Sequence, residues 1–169
     1  MKRLLIIFFT IPFFLSSFGQ DNVTGEYYDS FGCKLILNSD STFEFTWHFD
    51  LAGSWSKGKW LIDKDTIILE NIAVYDTVIY TDTISVNKIE KREELVLSAD
   101  DSSEMISVTE AVLSSISGGG QNRKAPPDKL IYRRNRLYLL DKNGKIDNKK
   151  HPTLLTGKKY KSYYREIQL

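Results

Sequence analysis

Between Thr42 and Asp50 aromatic residues alternate with polar ones: Phe43, Phe45, Trp47 and Phe49 are separated by Glu44, Thr46 and His48. Strand side chains point alternately to opposite faces, so this period of two makes one face aromatic and the other polar. An aromatic face of that size needs covering, which commits the chain to a sheet folded around a core. Upstream, Cys33, Leu35 and Leu37 alternate in the same way, with Ile36 on the other side. Asn38-Ser39-Asp40-Ser41 supplies a turn between the two runs, and an antiparallel hairpin is expected. Downstream, Leu51-Ala52-Gly53 turns the chain into Ser54–Ile62, where Gly58, Trp60 and Ile62 share a face. Asp63-Lys64-Asp65 then turns it into Thr66–Glu70, with Ile67 and Leu69 on one side. Four strands joined by short turns read as an up-and-down meander.

The middle of the chain is richer in β-branched residues. Ile72–Tyr80 and Thr83–Ile89 are expected to be two strands meeting near Thr81-Asp82, with Leu95-Val96-Leu97 a short strand behind the charged run Glu90–Glu94. The segment from Ser103 through Glu104–Ile116 reads equally as helix or strand: Ile106, Leu113 and Ile116 suit a helix, whereas Val108, Thr109 and Val112 lose rotamer freedom in one. Residues 117–128, from Gly118-Gly119-Gly120 through Pro126-Pro127, form a Gly/Pro-rich loop. A solvated surface loop is the default for it, and a lid over a cavity the functional alternative. No Gly-Lys-Ser/Thr follows the glycines, so a phosphate cradle is not expected. Leu130–Arg133 and Arg136–Asp141 make a hairpin about Arg134-Asn135, Lys142-Asn143-Gly144-Lys145 another turn, and Tyr160–Leu169 a closing strand or short helix. The expected fold is all-β: an antiparallel meander closing into a barrel or strongly curved sheet of roughly eight to ten strands.

The first nineteen residues belong to a different kind of signal. Lys2 and Arg3 precede an apolar run from Leu4 to Leu15, and Ser17 and Gly19 are small residues ahead of Gln20. That order describes a secretory signal peptide, residues 1–19, and the run is shorter than the roughly 20 apolar residues a membrane-spanning helix needs. The mature chain, residues 20–169, is therefore expected in the periplasm or outside the cell, as one β-rich domain without a transmembrane segment. It contains one cysteine, Cys33, so no internal disulfide forms and the core alone must hold the fold. Cys33 reads as a buried, inert thiol, with a reactive thiol or a lipid attachment as alternatives.

Net charge hides an asymmetry. Residues 20–122 carry 7 Lys and Arg against 18 Asp and Glu, whereas residues 123–169 carry 14 against 4. The basic part is interleaved with Leu130, Ile131, Tyr132, Leu137, Tyr138, Leu139 and Leu140, unlike a disordered basic arm. The two parts are expected to pack in one domain, and an exported chain is not expected to meet nucleic acid.

Groups for catalysis are sparse. The two histidines, His48 and His151, and Cys33 have no metal-site spacing between them, and neither a Gly-x-Ser-x-Gly elbow nor a two-histidine metalloprotease motif occurs. Among the many acids nothing selects a pair. The expectation is no enzyme, no cofactor and no metal. Convergence of two acids, or of Cys33 with a histidine, in one cleft would be the mark of the contrary.

Aromatic residues are the better lead. Trp47, Trp55 and Trp60 fall within fourteen residues, close to Tyr27, Phe31 and Phe49. Trp55 and Trp60 are five apart, so an unbroken strand puts them on opposite faces: with Trp60 inside, Trp55 is an outward contact residue. Core packing is the default account of the cluster, and a ligand site in a barrel's interior or mouth is the functional alternative.

Gly25-Glu26-Tyr27, Leu35-x-Leu37, Asp40, Phe43-x-Phe45, Gly58-x-Trp60 and Asp65-Thr66-Ile67-x-Leu69 together resemble the N-terminal half of lipocalin-like small secreted bacterial proteins. The resemblance covers Gly25 to Leu69 and implies a β-meander or barrel. The aromatic cluster and the basic C-terminal residues give two functional expectations. The first is a non-catalytic binding module that holds an apolar or sugar ligand around Trp47, Trp55, Trp60 and Tyr27. The second is an interaction protein that binds an envelope protein or anionic polysaccharide through Arg133, Arg134, Arg136, Lys158 and Lys159. Asp65-Thr66, Asp76-Thr77 and Asp82-Thr83, each followed by an apolar residue, also look like bacterial O-glycosylation sites, or simply like turn acids ahead of strand starts.

Overall fold

The computed structural model of the chain describes residues 23–85, 88–116, 119–153 and 155–167, leaving aside the side chains of 82–90. The expected leader at 1–19 lies outside them. The first five strands are β1 (Gly25–Tyr28), β2 (Cys33–Leu37), β3 (Thr42–Phe49), β4 (Ala52–Asp63) and β5 (Thr66–Asn71), joined in antiparallel register by short turns. After a long excursion, β9 (Lys129–Tyr132) pairs with β5, β10 (Arg136–Leu139) with β9, and the last strand, β13 (Tyr163–Glu166), lies between β10 and β1. These eight strands form a closed antiparallel barrel. The expected meander and its closing strand are both present. Arg134 and Asn135, at φ 54° and 56°, make the tight left-handed turn expected between β9 and β10.

A barrel of eight strands is just wide enough for its own side chains to fill. Tyr27, Leu35, Leu37, Phe43, Phe45, Trp60, Ile67, Leu69, Leu130, Leu137 and Tyr164 form that filling, and most of them alternate along their strands with less buried neighbours. The Tyr27 hydroxyl donates to the Val23 carbonyl at 2.7 Å, which satisfies it inside the core. Following the chain direction sorts the connections onto two ends. The turns at 38–41, 64–65 and 133–135 lie at one, the closed end. Those at 29–32 and 50–51, together with both long connections, lie at the other, the mouth.

The first long connection corrects the expected strands 72–97. Tyr75–Ser85 is one strand (β6), and Lys88–Leu97 (β7) pairs with it antiparallel from end to end. Thr81-Asp82 is therefore inside β6, where pairing with Lys91 and Glu90 overrides the turn preference of Asp82. The charged run 90–94 belongs to a strand because β7 is an edge, and charge on an edge discourages pairing with other chains. This sheet stands outside the barrel, so the eight-to-ten-strand estimate is met by eight. Asp76 is buried and accepts from the Glu104 amide at 3.0 Å, so it is a sheet-building acid.

Both readings of 103–116 hold in part. Met105–Ser107 (β8) runs parallel to β6, and a helix, α1 (Val108–Ile116), begins directly after it. Ser107 and Glu110 cap that helix reciprocally: the Glu110 amide donates to Ser107 Oγ at 3.3 Å, and the Ser107 amide to Glu110 Oε2 at 2.8 Å. In the second long connection, β11 (Lys150–Pro152) and β12 (Lys159–Lys161) form a separate two-stranded hairpin. No helix among the described residues is long and apolar enough to cross a membrane.

Candidate functional site

The mouth is shaped by unequal strand lengths. β2 ends opposite Trp47, with Cys33 as its partner, while β3 and β4 continue as a hairpin through His48, Phe49, Ala52 and Gly53. The inward alternation of β3 therefore carries Trp47 and Phe49 past the rim. Their rings stack nearly parallel, 10° apart with centroids at 6.4 Å, and together wall one cleft. Trp47 Nε1 donates to the Phe31 carbonyl at 3.1 Å, which locks the indole and ties the 29–32 turn to the wall. Gly32, at φ 83°, permits that approach: a Cβ there would stand 2.5 Å from the His48 carbonyl oxygen.

Beyond Gly58, where β5 stops, one side of β4 is open, and residues 120–124 occupy it. The Trp55 amide donates to Gly120 O at 3.2 Å, and the Asn122 amide donates to Trp55 O at 2.9 Å. Ser54 and Ser56 are buried on the inward face of β4. Ser54 Oγ accepts from the Lys124 amide at 2.9 Å, and Ser56 Oγ donates to Asn122 Oδ1 at 2.6 Å. Gln121, itself buried, bonds both backbone groups of Val74 at 3.0 and 3.1 Å. The expectation of a solvated loop is thus corrected. Residues 119–128 are a packed strap laid along β4 and across the mouth, because two inward serines and one buried glutamine give its backbone partners.

The strap delivers Lys124. Its ammonium stands 4.9 Å from the Trp47 ring centroid and also reaches the Cys33 thiol. None of the ion pairs among the described residues includes it. On one side of Lys124 is a cleft of 330 Å³ walled by Phe31, Trp47, Phe49 and Leu155, the last 83% exposed. On the other is a more polar cavity of 370 Å³ with Asp29, Cys33, His151, Ser162 and Tyr164 around it.

That second cavity brings together Cys33 and His151, one of the arrangements that would mark an enzyme. Burial, and next the Asp29 carboxylate, push the Cys33 thiol up to about 11, against a smaller pull from Lys124. His151 Nε2 is bonded to Asp147 Oδ2 at 2.8 Å. Tyr164 is pushed well above the ordinary phenol range, chiefly by burial and then by Cys33 and Asp29. At pH 8 the native thiol is expected to react with an aromatic disulfide dye about a hundredfold more slowly than in the urea-unfolded chain, from thiolate fraction alone. Equal rates would show an open, activated cysteine. No group of three His, Cys, Asp or Glu among the described residues is placed to hold a metal ion.

The other expected site residues are dispersed. Trp60, 2% exposed, sits near the closed end and donates from Nε1 to Asn38 O at 3.0 Å. Tyr27 is wholly buried. Both are packing residues of the barrel interior, and neither lines the clefts at the mouth. Trp55 pairs with Thr46 and points outward, so it shares no cleft with Trp47. The basic residues divide as well. Arg133, Arg134 and Arg136 are at the closed end, where Arg133 pairs with Asp65 at 3.9 Å. Lys158 and Lys159 are on the β11–β12 hairpin at the mouth. Arg165, missed in the sequence, joins Arg136: their guanidinium groups lie 5.2 and 5.0 Å from the Tyr163 ring centroid. Lys124 was also missed, and the inward-facing Ser54 and Ser56 were the only signal that a strap would bring it there.

No protein-family model, curated protein or solved structure matches this chain.

Proposed function

We propose that the chain is an exported, non-catalytic binding protein of lipocalin-like architecture, which holds a small apolar ligand on the mouth of a filled barrel. The observation that carries this reading is the stacked Trp47–Phe49 pair walling a cleft, with the Lys124 cation beside it. Binding sites of small molecules are mostly apolar clefts of about 300–1,000 Å³ with a few placed polar groups. A half-buried ammonium with a ring and a thiol for company is best completed by an acidic or carbonyl oxygen, since desolvated charge is costly without a partner. The ligand is therefore an apolar body with one oxygen-bearing end, and the leader at 1–19 supports its encounter outside the cytoplasm.

Fluorescence titration with a medium-chain fatty acid and the matching alcohol tests this. Trp47→Ala is expected to weaken binding of both by about tenfold or more, through loss of the aromatic wall. Lys124→Met is expected to weaken the acid about tenfold and leave the alcohol unchanged, since a charge-assisted bond is worth about 1.5–3 kcal/mol. Binding of either compound that ignores both substitutions would remove the mouth as the site.

The polyanion alternative draws on two smaller surfaces at opposite ends of the barrel. In one of them Arg136 and Arg165 both pack against the Tyr163 ring.

A further inference from the structure

Trp55 faces away from the barrel into a groove of its own. The groove lies between the outer surface of β3 and β4 and the 98–101 loop, and at 520 Å³ it is larger than either cavity at the mouth. Trp55 Nε1 donates to the Ala99 carbonyl at 2.7 Å, so the indole is held against the loop by its edge. Lys57 also bonds to the loop, through the Asp101 carbonyl, and its ammonium lies 6.0 Å from the Trp55 ring centroid. The loop in turn is braced by Asp100, whose carboxylate accepts from the Ser102 amide at 3.0 Å and its hydroxyl at 2.6 Å. Glu44, Phe45, Thr46, Ser56 and Asp101 complete the lining. The ring and both walls of the groove are thus fixed before any ligand arrives, which lowers the ordering cost of binding.

The charges decide what fits. An anion meets three carboxylates, those of Glu44, Asp100 and Asp101. A cation is drawn by those carboxylates, but the indole face that would hold it is already taken by the Lys57 ammonium. An apolar ligand would strip water from all four charged groups and return no hydrogen bonds. A neutral molecule with many hydroxyl groups avoids each penalty. Its hydroxyls donate to the carboxylates and accept from Lys57, while an apolar C–H face lies on the indole. We infer that the Trp55 groove is a binding site for a neutral saccharide, separate from the apolar site at the mouth.

Nuclear magnetic resonance of the indole N–H groups reads this groove apart from the mouth, because Trp47, Trp55 and Trp60 give separate signals. The purified protein is titrated with hexasaccharides of β-linked glucose, α-linked glucose and β-linked N-acetylglucosamine, and is also mixed with the insoluble polymers of the same sugars. At least one hexasaccharide is expected to shift the Trp55 signal saturably and leave that of Trp47 in place. Trp55→Ala is expected to weaken that binding about tenfold or more. Glu44→Gln, an exposed substitution on β3, is expected to weaken it about threefold, and it decides the matter if Trp55→Ala loosens the 98–101 loop. Retention on a polymer that Trp55→Ala abolishes, without binding of the hexasaccharide, also supports the inference and places the sugar on a surface. No shift of Trp55 and no retention across the panel overturns it, as does binding that both variants leave intact.

Discussion

Gly58→Ala is expected to lower the stability of the barrel by about 3 kcal/mol or more, at the upper end of the cost of overpacking. Gly58 is buried on β4, directly opposite Phe43 on one side and Asn71 on the other. A Cβ at this position would stand 2.0 Å from the Glu70 carbonyl oxygen and 2.8 Å from Phe43 Cε1. The first neighbour is backbone of the adjoining strand and cannot swing aside. The second is the ring of a fully buried residue, which covers the glycine face. Relief therefore requires β4 and β5 to part at the place where β5 ends and the strap takes over. The measurement is a thermal melt: a loss of about 3 kcal/mol lowers the midpoint by roughly 6–12 °C in a domain of this size. Gly53→Ala is the control, since its Cβ meets the His48 ring at an ordinary 3.6 Å. If the two variants melt together, Gly58 is not the close contact described.

The stability of the protein is expected to fall steeply as pH rises above 9. Burial raises Tyr27 and Tyr164 far above the ordinary phenol range and lifts the Cys33 thiol from 9.0 to about 11. All three lose a proton to become charged, and the fold holds them neutral. Above pH 9 the unfolded chain releases protons that the folded chain keeps, so stability is complete below that pH and declines as pH rises. Cys33 alone, shifted by two units, accounts for about 3 kcal/mol once pH passes 11, and the two tyrosines add to it. Against a typical stability of about 5–15 kcal/mol this is a large fraction. Urea midpoints from pH 7 to 11 measure it. They are expected to fall steeply above pH 9, with tyrosinate absorbance from Tyr27 and Tyr164 appearing only as the protein unfolds. Cys33→Ala is expected to flatten the first part of that decline. A midpoint level to pH 11 would mean these groups are in contact with water.

How far the sequence could be read depended on the range of the force involved. Phe43, Phe45, Trp47 and Phe49 announced β3, and Arg134-Asn135 a tight turn, because alternation and left-handed backbone are properties of a few adjacent residues. The split at 103–116 was also legible: Ser107-Val108-Thr109-Glu110 is a capping box, and reading it would have separated strand from helix. Thr81-Asp82 misled because the local turn preference of an aspartate was outweighed by ten paired positions on β7.

The candidate site was legible only in part. Trp47 was named, but alongside Tyr27 and Trp60, which share its chemistry and differ in where the strands end. The sequence by itself determined an all-β chain, its meander from β1 to β5, and opposite faces for Trp55 and Trp60, all consequences of period-two alternation. Tertiary structure alone decided that β3 and β4 outrun β2, so that Trp47 stands at a mouth and Trp60 in a core. It also decided that a strap seventy residues away in sequence lays Lys124 on that mouth, through the inward hydroxyl of Ser54. Such contacts depend on strand lengths and on closure of the barrel, and neither is written in any short run of residues.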